Sequence, residues 1–89
     1  MHETRFVRVP TAVEARFDEE GRLTPTSFTW QGRVQSIADV GRRWVEEEEG
    51  RPIHHILVMT SSQELFELCF DPRDLRWQVR RTWERRVTA

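Results

Sequence analysis

A single cysteine, Cys69, is all that the sequence offers for disulfide chemistry. It cannot close an intramolecular bridge, so a disulfide-stapled secreted scaffold is excluded and a reducing, cytoplasmic setting is the expectation. No apolar run approaches the roughly 18 residues of a membrane-spanning helix. The opening Met1-His-Glu-Thr-Arg lacks the charged-then-apolar order of a signal peptide, so no membrane partner is expected. Lysine, asparagine and tyrosine are absent, and the four glycines are too scattered to form a phosphate-cradling loop. Spacings of the Cys-x-x-Cys or His-x-x-x-His kind are missing as well, which argues against a zinc motif and leaves no cofactor implied.

What is present is arginine, which supplies all fourteen basic residues. The net charge is −1, so the whole chain has no strong field for nucleic acid or anionic lipid. The two halves differ: residues 1–49 hold seven Arg against ten acids, and residues 50–89 hold seven Arg against five. Planar, forked guanidinium groups suit carboxylate and phosphate recognition. A GC-rich coding bias accounts for the same exchange of lysine for arginine and for the missing asparagine and tyrosine.

Length sets the scale of the core. A chain of 89 residues buries roughly 60–65 % of its unfolded surface, enough for one domain and one apolar core. The clearest patterning lies in Glu64 to Trp83. Phe66, Leu68 and Phe70 alternate in one arm and Trp77, Val79 and Trp83 in the next, with Asp71-Pro-Arg-Asp74 as turn chemistry between them. This predicts a hairpin with rings on one face and Arg76, Gln78 and Arg80 on the other.

The rest of the chain reads in the same way. Thr4 to Val9 is a strand that Pro10, unable to donate in a ladder, either ends or confines to a sheet edge, and Ala12 to Phe17 alternates as a second. Asp18 to Gly21 is a turn, and Leu23 to Pro25 an extended connector. Thr26 to Ile37 predicts a hairpin about Gln31-Gly32. Residues 36–48 fit two readings, because Ser36 with Asp39 resembles a capping box and Ile37, Val40, Trp44 and Val45 have helical spacing. Gly41 in mid-segment and acids at the C-terminal end disfavour a helix, so a bent or bulged strand is preferred. Glu46 to Pro52 is expected as a solvated loop tip rather than a metal cage, and Ile53 to Thr60 as a central strand. The tail after about residue 84 is expected to fray. The predicted fold is one mainly β domain: a small antiparallel, strongly bent sheet or half-closed barrel of six to seven strands, with at most one short helix.

Candidate chemistry is sparse. Adjacent side chains on a strand point to opposite faces, so His54 and His55 cannot share an ion; at most one could join Cys69, and both read as structural. Ser61, Ser62, Cys69 and the histidines show no spacing that marks a nucleophilic site, and Cys69 reads as a small buried hydrophobe. The combination of Arg and Trp is the main functional signal. Arg42, Arg43, Arg76, Gln78 and Arg80 are candidate binding residues, with Trp44 as the ring expected to be exposed. Trp30, Trp77 and Trp83 are assigned to the core. Small β-barrels bind single-stranded nucleic acid with such positive, ring-bearing grooves.

The pattern Pro25-x-x-Phe28-x-Trp30-x-Gly32-Arg33, then Trp44, Phe66-Glu67-Leu68, Trp77, Arg80 and Trp83-Glu84 resembles a family of uncharacterised small bacterial domains with Phe-x-Trp-x-Gly-Arg and Phe-Glu-Leu motifs. The likeness spans residues 25–84. Some members of that family are found beside translesion-type DNA polymerases in high-GC bacteria. The resemblance implies an accessory role near DNA repair and no catalytic residue. The expected function is therefore a noncatalytic, non-enzymatic binding module for single-stranded nucleic acid. The alternative is a protein–protein interaction adaptor or homodimer that pairs through an exposed strand edge or aromatic patch.

Overall fold

The computed structural model describes the backbone of residues 2–85 and the side chains of residues 4–83. Those residues form seven strands: β1 (His2–Thr11), β2 (Val13–Phe17), β3 (Leu23–Trp30), β4 (Arg33–Glu48), β5 (Arg51–Thr60), β6 (Leu65–Asp71) and β7 (Arg76–Arg85). They make one antiparallel sheet in the order β1-β7-β6-β5-β4-β3-β2, with no helix among the described residues. β5 is the central strand, as its nearly continuous apolar sequence predicts. The expected tail lies mostly outside the described residues.

One chain connection dictates the shape. β1 and β2 occupy opposite edges of the sheet, yet only Ala12 separates them in sequence. The sheet must curl until its two edges meet at that point. There the Thr29 N–H donates to the Ala12 carbonyl at 3.0 Å, and the Thr11 hydroxyl donates to the Thr29 carbonyl. No ladder joins β1 to β2, so the sheet is curled rather than closed. Bulges supply the bend. β4 shifts register between Ile37 and Asp39 and again between Val40 and Arg43, which lets one strand of 16 residues serve two neighbours. Residues 36–48 are thus the bulged strand favoured above.

Directly paired residues share a face, and the pairing sorts the side chains. Ile56 pairs with Leu68 and Leu68 with Val79, while Val58 pairs with Phe66. Together with Phe28, these residues form the buried core. Phe28 and Trp30 close on Phe66 edge to face, with ring centroids 4.9 and 5.6 Å away.

Three local expectations are corrected. The Glu46 run does not form a loop tip: Glu46 to Glu48 finish β4, and the turn contracts to Glu49-Gly50, with φ of 51° and 77°. Two successive positive φ values match the twist of a hairpin, so the ladder runs to the last glutamate. Leu23 to Pro25 is the start of β3 and not a connector: Pro25 pairs with Ala15 beside a bulge in β3 that makes Thr26 the extra residue, a place where a missing donor is tolerated. Finally, Trp83 leaves the face of Trp77. A bulge between Glu67 and Leu68 pairs them with Arg81 and Val79, making Arg80 the extra residue. Beyond it the alternation inverts, so Thr82 becomes the buried partner of Phe66 and Trp83 pairs with Leu65.

Candidate functional site

The face opposite the apolar core carries a buried polar cluster. A row of ladder partners, Trp44, His55, Cys69 and Gln78, crosses β4, β5, β6 and β7, with Glu67 paired to Arg81 in the neighbouring row. His55, Glu67 and Cys69 are 2 %, 5 % and 3 % exposed. His55 Nδ1 lies 3.1 Å from Glu67 Oε2 and 3.1 Å from Cys69 Sγ, with Sγ 3.9 Å from Oε2. The Trp44 indole stacks on the imidazole at 5.1 Å and an interplanar angle of 8°. On the other side of the ring, Nε2 faces Glu48 at 3.6 Å and Glu46 at 3.9 Å without a hydrogen-bond partner.

Two guanidinium groups hold the carboxylates. Arg81 donates to Glu67 Oε1 at 2.5 Å, and Arg80 grips Glu48 with two bonds of 3.0 and 3.3 Å. The hydrogen bond from Arg80 lowers the Glu48 pKa despite partial burial. Burial pushes the Cys69 thiol up to about 12, against the pull of nearby Arg80. The chemistry follows from these contacts. In a nucleophilic triad the acid and the nucleophile bond opposite nitrogens of the histidine, whereas here Glu67 and Cys69 both approach Nδ1. A thiol with so high a pKa is also no ready thiolate.

Above the cluster lies a cleft of about 560 Å³. β1 contributes Phe6, Val7 and Arg8 to its walls, β4 contributes Trp44 and Glu46, and the floor holds His55, Glu67, Arg80 and Arg81. A second hollow of about 480 Å³ shares Arg8 and Arg80 with it and adds Arg51, Arg76 and Gln78 beside several acids. The two therefore adjoin along β7.

The structure brings some of the expected binding residues together and separates others. Gln78, Arg80 and Trp44 belong to this face, and exposed Arg76 borders the second hollow. Arg43 does not: its ladder partner is Ile56 on the apolar face, and its guanidinium donates to the Leu23 carbonyl and the Thr24 hydroxyl. Trp44 is half-buried rather than exposed, with the Arg42 guanidinium 5.1 Å from its ring centroid and its Nε1–H donated to Glu46. Arg80 is not part of an open basic stripe, since Glu48 from the acidic half of the chain binds it.

His54 and His55 do point to opposite faces, one exposed and one buried. What the sequence argument lacked was Glu67. It lies two residues before Cys69 and so on the same face of β6, but only the ladder register puts His55 against both. Phe6 was missed for a similar reason, since nothing local distinguishes it from a core ring. Compared with known proteins, the chain matches no family model, no curated protein and no solved structure.

Proposed function

We propose that this protein is a noncatalytic binding module that takes single-stranded nucleic acid along the paired hollows on the face of the His55 cluster. The observation that carries the reading is Phe6: its ring is 74 % exposed at the wall of the cleft, beside Arg8 and 5.3 Å from the Arg81 guanidinium. A base can stack on such a ring while Arg8 and Arg76 meet the phosphates, and Arg80 and Arg81 stay bound to their carboxylates. An accessory role near DNA repair fits that ligand class. The test is anisotropy of a labelled oligothymidylate across a salt series. Affinity is expected to fall linearly on a log–log scale, with Arg8→Ala reducing the slope by roughly 0.7 and Phe6→Ala weakening binding roughly 5- to 100-fold. Binding that is absent at low salt, or indifferent to salt, refutes the reading.

A second reading has its own observation. On the apolar face, Phe17, Val45 and Leu75 are 67 %, 56 % and 73 % exposed around a hollow of about 490 Å³ that reaches His54 and Phe70. Such a patch suits contact with another protein or a second copy of the chain. Light scattering that shows a dimer lost on Leu75→Glu supports it, and a concentration-independent monomer with no partner argues against it.

A further inference from the structure

We propose that His55 Nδ1, Cys69 Sγ and Glu67 Oε2 are the ligands of a single divalent transition-metal ion of the zinc class. The inference does not depend on the nucleic-acid reading. Ligands held tetrahedrally around zinc at 2.0–2.3 Å stand roughly 3.3–3.6 Å from one another. The three donor atoms form a triangle of 3.1, 3.1 and 3.9 Å, close to one face of that tetrahedron. They are an imidazole, a thiolate-forming sulfur and a carboxylate, the donor types that a borderline-soft ion accepts.

A neutral His55 ring has a single N–H to set against the carboxylates around it, Glu67 at one nitrogen and Glu48 and Glu46 at the other. If neutral His55 carries its proton on Nδ1, that proton serves Glu67, and the bare Nε2 lone pair is directed at the Glu48 and Glu46 carboxylates. If the proton moves to Nε2, the Nδ1 lone pair confronts Glu67 Oε2 at 3.1 Å. Either neutral tautomer leaves one ring nitrogen facing a carboxylate oxygen in a buried site, which is costly. A cation at the centre of the triangle removes the conflict. Nδ1 then binds the ion, and Nε2–H faces the Glu48 carboxylate 3.6 Å away, an electrostatic contact slightly longer than a hydrogen bond.

The surroundings are arranged as supports for ligands. A metal-bound histidine usually donates its second N–H to a carboxylate, and here Glu48 is placed for it and is itself fixed by Arg80. Arg81 holds Glu67 by Oε1 and so leaves Oε2 for the ion. Trp44 fixes the plane of the imidazole by stacking. Coordination forms a sulfur–metal bond, and the thiol proton passes to solvent. Three protein ligands leave one position open, and the cleft lined by His55 and Glu67 can supply a water to fill it.

The experiment uses the full chain and cobalt(II) as a spectroscopic probe, followed by zinc competition against a chromophoric chelator. Expected are one ion per chain, a thiolate-to-cobalt charge-transfer band, tetrahedral ligand-field intensity and a rise in melting temperature with zinc. Cys69→Ser abolishes the charge-transfer band, and His55→Gln and Glu67→Gln each weaken zinc by tenfold or more. Glu48→Gln, one step removed, weakens it roughly 10- to 100-fold. His54→Gln, on the opposite face, leaves affinity unchanged. Wild-type protein that shows no charge-transfer band overturns the proposal whatever the variants do. So does zinc affinity that survives Cys69→Ser in a folded variant, or that is lost with His54→Gln.

Discussion

Arg80 on β7 and Glu48 at the end of β4 form a two-pronged ion pair, with Nη1–Oε2 of 3.0 Å and Nη2–Oε1 of 3.3 Å, between residues 32 apart in the chain. Both side chains are largely withdrawn from solvent, at 18 % and 28 % exposure. The pair ties two strands that share no ladder, and it depends on a bulge that frees Arg80 from the alternation of β7. Arg80→Ala leaves Glu48 partly buried without its partner. The expected cost is about 1–3 kcal/mol, measured by urea denaturation.

Acid should weaken the protein through the same contact. Glu48 has a folded pKa below its ordinary 4.5, chiefly because Arg80 hydrogen-bonds to it. Its contribution is therefore complete above about 4.5 and is lost as pH falls through the lowered folded value, where the native carboxylate takes up its proton. Asp71 acts in the same direction, held low first by the Arg73 backbone N–H and then by Arg51. Denaturation midpoints measured from pH 6 to pH 2 should fall in wild type. They should fall less steeply in Glu48→Gln, with the Asp71 component remaining.

Cys69 gives the opposite slope. Burial raises its pKa from 9.0 to about 12, so the unfolded chain releases the thiol proton at lower pH than the native one. Stability is unaffected below about 9 and declines from there toward 12. At neutral pH the thiol should resist iodoacetamide in the native protein and react at an ordinary rate in guanidinium. Fast native labelling at pH 7 would show the site to be open.

Core and surface truncations should separate cleanly. Leu68 is fully buried between Ile56 and Val79, so Leu68→Ala is expected to cost about 2–5 kcal/mol through lost transfer energy and a cavity. Val34, 72 % exposed, should tolerate alanine within about 0.5 kcal/mol. Thermal melts of the two variants provide the comparison.

The β4–β5 turn offers a gain in stability. Glu49 adopts φ of 51°, where asparagine or glycine is more comfortable than glutamate, and three acids precede it. Glu49→Asn should stabilise by about 0.5–1 kcal/mol. Gly50→Ala at φ of 77° should cost about 1 kcal/mol or more, although a Cβ there meets no atom within 4 Å. A loss in the first or a gain in the second would contradict the turn assignment.

Much of this architecture can be read along the chain because it rests on local physics. Period-two alternation in Phe66 to Phe70 announces a strand, Gln31-Gly32 with φ of 51° and 77° announces a tight hairpin, and the unbroken apolar run from Ile53 announces the middle of a sheet. Each depends on neighbours within a few residues. Where alternation itself failed, at Arg80, reading Trp83 inward failed with it, because one extra residue inverts every side chain that follows.

The candidate site was hidden for a different reason. Trp44, His55 and Cys69 belong to three strands, and only their register sets them in one row, with Glu67 beside it. Composition and alternation along the chain determined a small antiparallel β domain with rings packed in its core. The tertiary structure alone decided which arginines are already bound to acids, and that a histidine, a glutamate and a cysteine converge. Faces are assigned by local periodicity, whereas adjacency across strands is settled by bulges and ladder register, which no single segment encodes.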